Sequence, residues 1–250
     1  MPLLIGHHRR HNPIIRAAHA AISGGALGDL VMASVTCSLA KPDSYFDAAW
    51  RRTPGAGGPL PINLVHEIDL IRHFWGEIAQ VQAIARHDRR HLPVEDTAAV
   101  ALALDRGGVA VLAISDAAVG PWAWDLSAGE NPARFPAHPV SAHHHAGSRA
   151  GLSLPDLTLW EPPGSPDWTQ AVTPRRLPVT PADPYAAQLA HFAALIRRGG
   201  TPAVTARDAT ANLIVLEAIR SAAASGQATR VDLSPLQIKS GTMFNNGNGS

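Results

Sequence analysis

The chain has 250 residues, 46% hydrophobic and 16% charged, enough for one large domain or two small ones around a substantial core. A formal net charge of +1 gives no sign of a nucleic-acid or membrane surface. One cysteine, Cys37, excludes an internal disulfide; with no apolar run near the ~20 residues of a membrane span and no signal-peptide layout over Met1–Asn12, a cytoplasmic protein is expected.

Pro2 to Ile5 reads as a short buried strand, and His7-His8-Arg9-Arg10-His11 as a polar loop. Asn12-Pro13 is an N-cap and first helical residue; Ile14, Ala18 and Ile22 follow at four-residue spacing, and Gly24-Gly25 stops the helix. Leu30 to Leu39 alternates, with Val31, Ala33, Val35, Cys37 and Leu39 on the apolar face. A glycine-proline turn, Gly57-Gly58-Pro59, then runs into a helix that reaches about Trp75. That helix carries Asn63, His66 and Asp69 at three-residue steps, on one broad face.

Ile78 to Arg86 reads as a strand. Thr97–Leu104 and Val109–Ser115 read as a β-hairpin around Asp105-Arg106-Gly107-Gly108. Pro121 to Pro139 is loop-like. Adjacent histidines at 143, 144 and 145 diverge and lack a second ligand cluster, so a flexible surface loop is expected there and no metal. Leu152 to Trp160 reads as a strand pair or strand edge, and residues 161–184 as a proline-rich surface excursion.

Asp183-Pro184 caps a helix with Tyr185, Leu189, Phe192 and Ile196 on one stripe. Thr205 and Asp208 resemble a capping box for a helix ending near Gly226, and Arg230 to Leu233 reads as a closing strand. The polar, Gly/Asn-rich end of the chain (236–250) is expected to be a disordered tail. Strands that follow one another without intervening helices give an α+β fold: a mostly antiparallel open sheet with helices packed on one face.

Four segments together resemble the Gfo/Idh/MocA oxidoreductases (glucose–fructose oxidoreductase, inositol dehydrogenase and relatives). They are Gly6–Pro13, Gly57–Asp69, Glu95-Asp96-Thr97 and Ala203–Leu233. The resemblance implies a C-terminal substrate and oligomerisation domain over residues 26–235. It implies that residues 1–25 are the remnant strand and helix of a dinucleotide-binding Rossmann domain. It further implies NAD or NADP as cofactor, a sugar- or polyol-like substrate, and a homo-oligomer formed through the open sheet. No Gly-x-Gly-x-x-Gly fingerprint occurs, so no cofactor-binding residue is expected on this chain. The competing expectation is a truncated, non-catalytic domain that binds ligand or oligomerises. With its Rossmann neighbours missing, the Pro2–Ile5 edge and the apolar face of helix 13–23 would be sticky.

By the same resemblance His66 is the catalytic histidine, taking a hydroxyl proton while hydride leaves the substrate carbon. Many members carry an aspartate four residues earlier; here that position is Ile62, and Asn63 is the nearest polar side chain. Asn63 is therefore a substrate-binding candidate, and Asp69 a group to orient His66. His8 and Arg9 match a loop that lines the substrate pocket, or form a solvated basic loop. Trp122, with Trp124, walls a sugar pocket or packs at a hairpin end.

Overall fold

A computed structural model describes residues 2–236. The expected disordered tail lies outside the described residues, apart from its first residue, Leu236.

The first helix, α1 (Pro13–Ser23), starts where Asn12 Oδ1 accepts the Ile14 N–H at 2.8 Å. It follows a single 3₁₀ turn, His8–His11, at the place expected to be a loop. Pro2–Ile5 is not a strand. It has no strand partner, and Ile5 N donates instead to Val204 O at 3.3 Å. Nor is the apolar face of α1 bare: Ile15, Ala18 and Ile22 are buried in the main core.

Strand β1 (Leu30–Ser38) is the centre of a nine-stranded sheet. Its alternation holds from Ala33 onward. A bulge between Leu30 and Met32 turns Val31 outward, where it is 54% exposed. Helix α2 (Val65–Trp75) then carries the chain across to β2 (Ile78–Arg86). Strands β3 (Thr97–Leu104) and β4 (Val109–Ser115) meander back until β4 lies parallel to β1.

A one-turn helix, α3 (Trp124–Ser127), interrupts the segment read as loop. On the other side of β1 follow β5 (His143–Gly147), β6 (Gly151–Leu154), β7 (Thr158–Glu161) and β8 (Thr173–Arg176), each antiparallel to its neighbour. The closing helices are α4 (Pro184–Arg198) and α5 (Ala206–Ser225), the latter opened by the Thr205–Asp208 capping box. Strand β9 (Thr229–Arg230) adds to β2, giving the order β8-β7-β6-β5-β1-β4-β3-β2-β9. This is the α+β fold with a mostly antiparallel open sheet.

One face of the sheet carries the core, formed with α2 and α5 through Ile68, Ile71, Val215 and Ile219. On the other face Met32, Ile84, Val109 and Val111 are each about half exposed or more. Alternation places these residues together, with the small side chains of Ala99, Ala101 and Ala113 between them. Helix α4 docks on the His8–His11 turn instead of on the sheet. It therefore buries Leu195, and the stripe expected from spacing is left outside, with Leu189 67% and Ile196 59% exposed.

Candidate active site

Gly58 (φ +87°) adopts a left-handed conformation that suits glycine, and it delivers the chain into one π-helical turn, Leu60–Leu64, before α2 begins. Glu95 accepts the Leu60 N–H at 3.0 Å and so anchors that turn. The wider turn breaks the simple three-residue spacing of the expected site. Asn63 faces a cleft, whereas His66 and Asp69 point into the protein behind it.

The cleft has a volume of about 590 Å³ and is lined by Lys41, Tyr45, Arg51, Asn63, Asp125 and Tyr185, among others. Lys41 leaves the end of β1 and donates from Nζ to Asn63 Oδ1 at 2.7 Å. Its Nζ lies 4.6 Å from the centroid of the Tyr45 ring, and Arg51 Cζ lies 4.0 Å from the same centroid. Burial lowers the Lys41 pKa, an effect opposed by Asp116.

Behind this wall lie three imidazoles. Tyr185 stacks on His8 with 4.4 Å between centroids, and His8 and His7 stand edge-on to His66 at 5.7 and 5.3 Å. His66 keeps some accessible surface, but its Nδ1 is buried without a hydrogen-bond partner. Burial, reinforced by the Arg9 charge, drives its pKa down to about 3. His66 is therefore neutral across the physiological range.

A buried ionic chain forms the floor. Arg9 Nη1 donates to Glu67 Oε1 at 2.6 Å and Arg9 Nη2 to Asp125 Oδ2 at 3.1 Å. His143 Nε2 lies 3.1 Å from Glu67 Oε2. Burial opposes both charges, yet Arg9 with His143 lowers the Glu67 pKa and Glu67 with Asp125 raises that of Arg9. Arg9 is thus committed to the protein and does not face a substrate, because two carboxylates already occupy its fork. Asp69 likewise does not orient His66. It takes Arg10 through both oxygens, at 2.7 and 2.8 Å, and accepts from Asn212 Nδ2 at 2.9 Å.

The histidine run is no surface loop. It forms β5, with His143 and His145 buried, and Trp75 Nε1 donates to His145 Nδ1 at 3.1 Å. Strand alternation sends these two side chains inward and only His144 outward. Trp122 does not line the cleft; it is half exposed and lies against Gly120 and Ser38, while Trp124 is fully buried beside Arg9 and His143. His8 contacts the wall through Tyr185 and is tied to Glu130 at 3.2 Å. Cys37 is core, as its place in the alternation indicated.

Lys41, Tyr45, Arg51 and Tyr185 were not anticipated. Their one sequence signal is position: the first two follow the end of a strand, and Arg51 lies in the irregular segment before the Gly57 turn, where functional residues concentrate. Among the described residues no group of three or more His, Cys, Asp or Glu side chains is placed to hold a metal ion, and no helix is long and apolar enough to cross a membrane.

Residues 15–130 match the family described as the GFO/IDH/MocA C-terminal domain. No curated protein matches the chain by sequence. Among solved structures, the chain is similar to an oxidoreductase from Agrobacterium radiobacter in complex with NAD+, L-tartaric acid and magnesium. The TM-score is 0.70 at 16% identity, over 92% of this chain and 65% of that one. It is also similar to the WlbA dehydrogenase of Bordetella pertussis in complex with NADH and UDP-GlcNAcA, with TM-score 0.68 and 19% identity over 92% and 63% of the two chains. The aldose-aldose oxidoreductase of Caulobacter crescentus, complexed with glycerol, gives TM-score 0.70 and 21% identity over 91% and 63%. The chain therefore spans a little under two thirds of the length of these relatives, and at such identities the likeness is one of fold. Residues 15–130 are thus similar to the C-terminal domain of the Gfo/Idh/MocA oxidoreductases, and the architecture of the chain is the one these solved oxidoreductases share.

Proposed function

We propose that the described residues form the substrate-binding and proton-handling part of an NAD(P)-dependent oxidoreductase acting on a sugar, polyol or related hydroxy compound. The observation that carries this is a polar cleft of about 590 Å³ whose wall leads, through Tyr185 and His8, to a neutral, desolvated His66. Hydroxyl-bearing ligands need several donors and acceptors with an aromatic wall, and Lys41, Asn63, Asn131, Tyr45 and Tyr185 supply them. By the family resemblance His66 is the group assigned the hydroxyl proton, reached from the cleft through Tyr185 and His8, and Asn63 acts chiefly by holding Lys41.

A bound nicotinamide would receive the hydride. The described residues do not fit that cofactor. Gly24–Gly28 joins a helix to a strand, the reverse of the order that aims amides at a pyrophosphate. What these residues contribute is the substrate's side of the reaction, with residues 26–235 as the substrate domain and the helix of residues 1–25 packed into the same core. The half-exposed sheet face is the surface through which two copies would pair. A purely oligomerising domain finds no support in the cleft or the family match.

The test is reduction of NAD+ and NADP+ over a panel of sugars, polyols and hydroxy acids, with cofactor binding followed by NADH and NADPH fluorescence. His66→Ala should lower kcat by about 100-fold or more while leaving the fold intact. Turnover unchanged in that variant would sink the assignment of His66.

A further inference from the structure

The side chains of the cleft that form hydrogen bonds or stacking contacts are unevenly charged. Lys41, Arg51 and Arg134 line it, and among the described residues none of the three is ion-paired with a carboxylate. The carboxylate that lines the same cleft, Asp125, is already held by Arg9. Three arginines elsewhere each give one edge to a single carboxylate. Arg10 gives its Nε–Nη2 edge to Asp69, Arg72 gives the same edge to Glu77, and Arg175 gives it to Glu161.

Arg51 differs from these three. Its Nη1 donates to Tyr45 O at 2.6 Å, its Nε is buried without a partner as that of Arg9 is, and, unlike Arg9, it is paired with no carboxylate of the described residues. Both Lys41 and Arg51 are half-buried, and they lie against one ring, that of Tyr45. The Asn63 carbonyl oxygen accepts from Lys41 and so favours its ammonium form. Two partly desolvated cations in contact with no carboxylate are costly to keep, and an anion in the cleft would offset that cost.

We infer that the substrate carries a carboxylate, and that Lys41 and Arg51 hold it, with Arg134 at the rim adding attraction. This rests on the reading of the cleft as the substrate site. A carboxylate matches what is present, one guanidinium edge and one point charge. A phosphate dianion would ask for more donors and would meet more repulsion from Asp125. The substrate class is then a sugar acid or similar polyhydroxy acid, not a neutral sugar.

Calorimetric titration of the full chain checks this. D-gluconate, D-galactonate and D-xylonate are each compared with the neutral polyol of the same skeleton: D-glucitol, galactitol and xylitol. D-glucitol 6-phosphate is the phosphate arm. At least one acid should bind about tenfold or more tighter than its polyol, and the preference should shrink as salt is raised. Lys41→Met and Arg51→Met should each cut the acid-to-polyol ratio by about tenfold, whereas Lys41→Arg should keep it within about threefold. Circular dichroism confirms that each variant is folded. Equal binding of acid and polyol would overturn the inference yet leave the cleft as a hydroxy-compound site. Tighter binding of the phosphate ester would overturn the carboxylate assignment, as would failure of every acid to bind.

Discussion

Arg9 Nη1 and Glu67 Oε1 meet at 2.6 Å between side chains that are 3% and 1% exposed, joining the 3₁₀ turn before α1 to the first turn of α2. The pair is the centre of the ionic floor beneath the cleft. Removing one partner leaves the other buried and uncompensated. Glu67→Ala or Arg9→Met alone should cost about 3–5 kcal/mol. The double variant Arg9→Met/Glu67→Met should cost less than the two single losses together. Urea denaturation measures all three, and simple additivity would show that the pair is not coupled.

Acid should unfold this protein early. His66 and His145 ordinarily titrate near 6.5, but burial holds each folded pKa down to about 3, and His73 down to about 4. As pH falls below 6.5 the unfolded chain takes up these protons and the folded one does not, so stability drops through that window. The loss is about 1.4 kcal/mol per pH unit for each fully coupled histidine. Glu67 and Asp69, whose pKa values are lowered by Arg9 with His143 and by Arg10 respectively, extend the loss below their ordinary range. His145→Gln should flatten the slope of unfolding free energy between about pH 7 and 5 by roughly one proton. An unchanged slope would rule His145 out as a contributor.

Gly58 and Gly55 both have φ +87°, but their surroundings differ. A Cβ on Gly55 meets open space, whereas one on Gly58 presses on the Glu95 carboxylate that anchors the Leu60 N–H. Gly55→Ala should cost about 1 kcal/mol from backbone strain, and Gly58→Ala about 1–3 kcal/mol more. Gly58→Ala should also weaken ligand binding in the cleft, because the π turn that places Asn63 must shift. Equal stability loss in the two variants would refute the role given to Glu95.

The open sheet face offers a test of pairing. Val111 is 49% exposed between the half-exposed Met32 and Val109 and the small residues of β3. Val111→Lys would set a charge in the middle of any apolar contact made there. Sedimentation should give a dimer or larger species for the parent chain and a monomer for the variant. A parent chain that is monomeric at high concentration would exclude the sheet as an oligomer surface.

Much of the fold was legible because its signals are local. Alternation over Ile78–Arg86, Thr97–Leu104 and Val109–Ser115 reproduced the observed strands, since period two on a half-buried sheet needs only neighbouring residues. Asn12, Asp183 and the Thr205–Asp208 box marked helix starts for the same reason: each cap bonds amides two or three residues on. Where alternation failed, at Val31, a bulge had shifted the register against β5.

The sequence by itself determined the elements, their caps and the α+β class, and its motifs pointed to the family. Tertiary structure decided the site. Arg9 pairs with Glu67 across 58 residues and with Asp125 across 116, Lys41 meets Asn63 across 22, and Asp69 is taken by Arg10 across 59. No local pattern records which charge finds which partner at such separations. Loop histidines became buried strand, and a candidate substrate arginine became part of the floor. Lys41 and Arg51 emerged as cleft cations in contact with no carboxylate only once packing had assigned the carboxylates elsewhere.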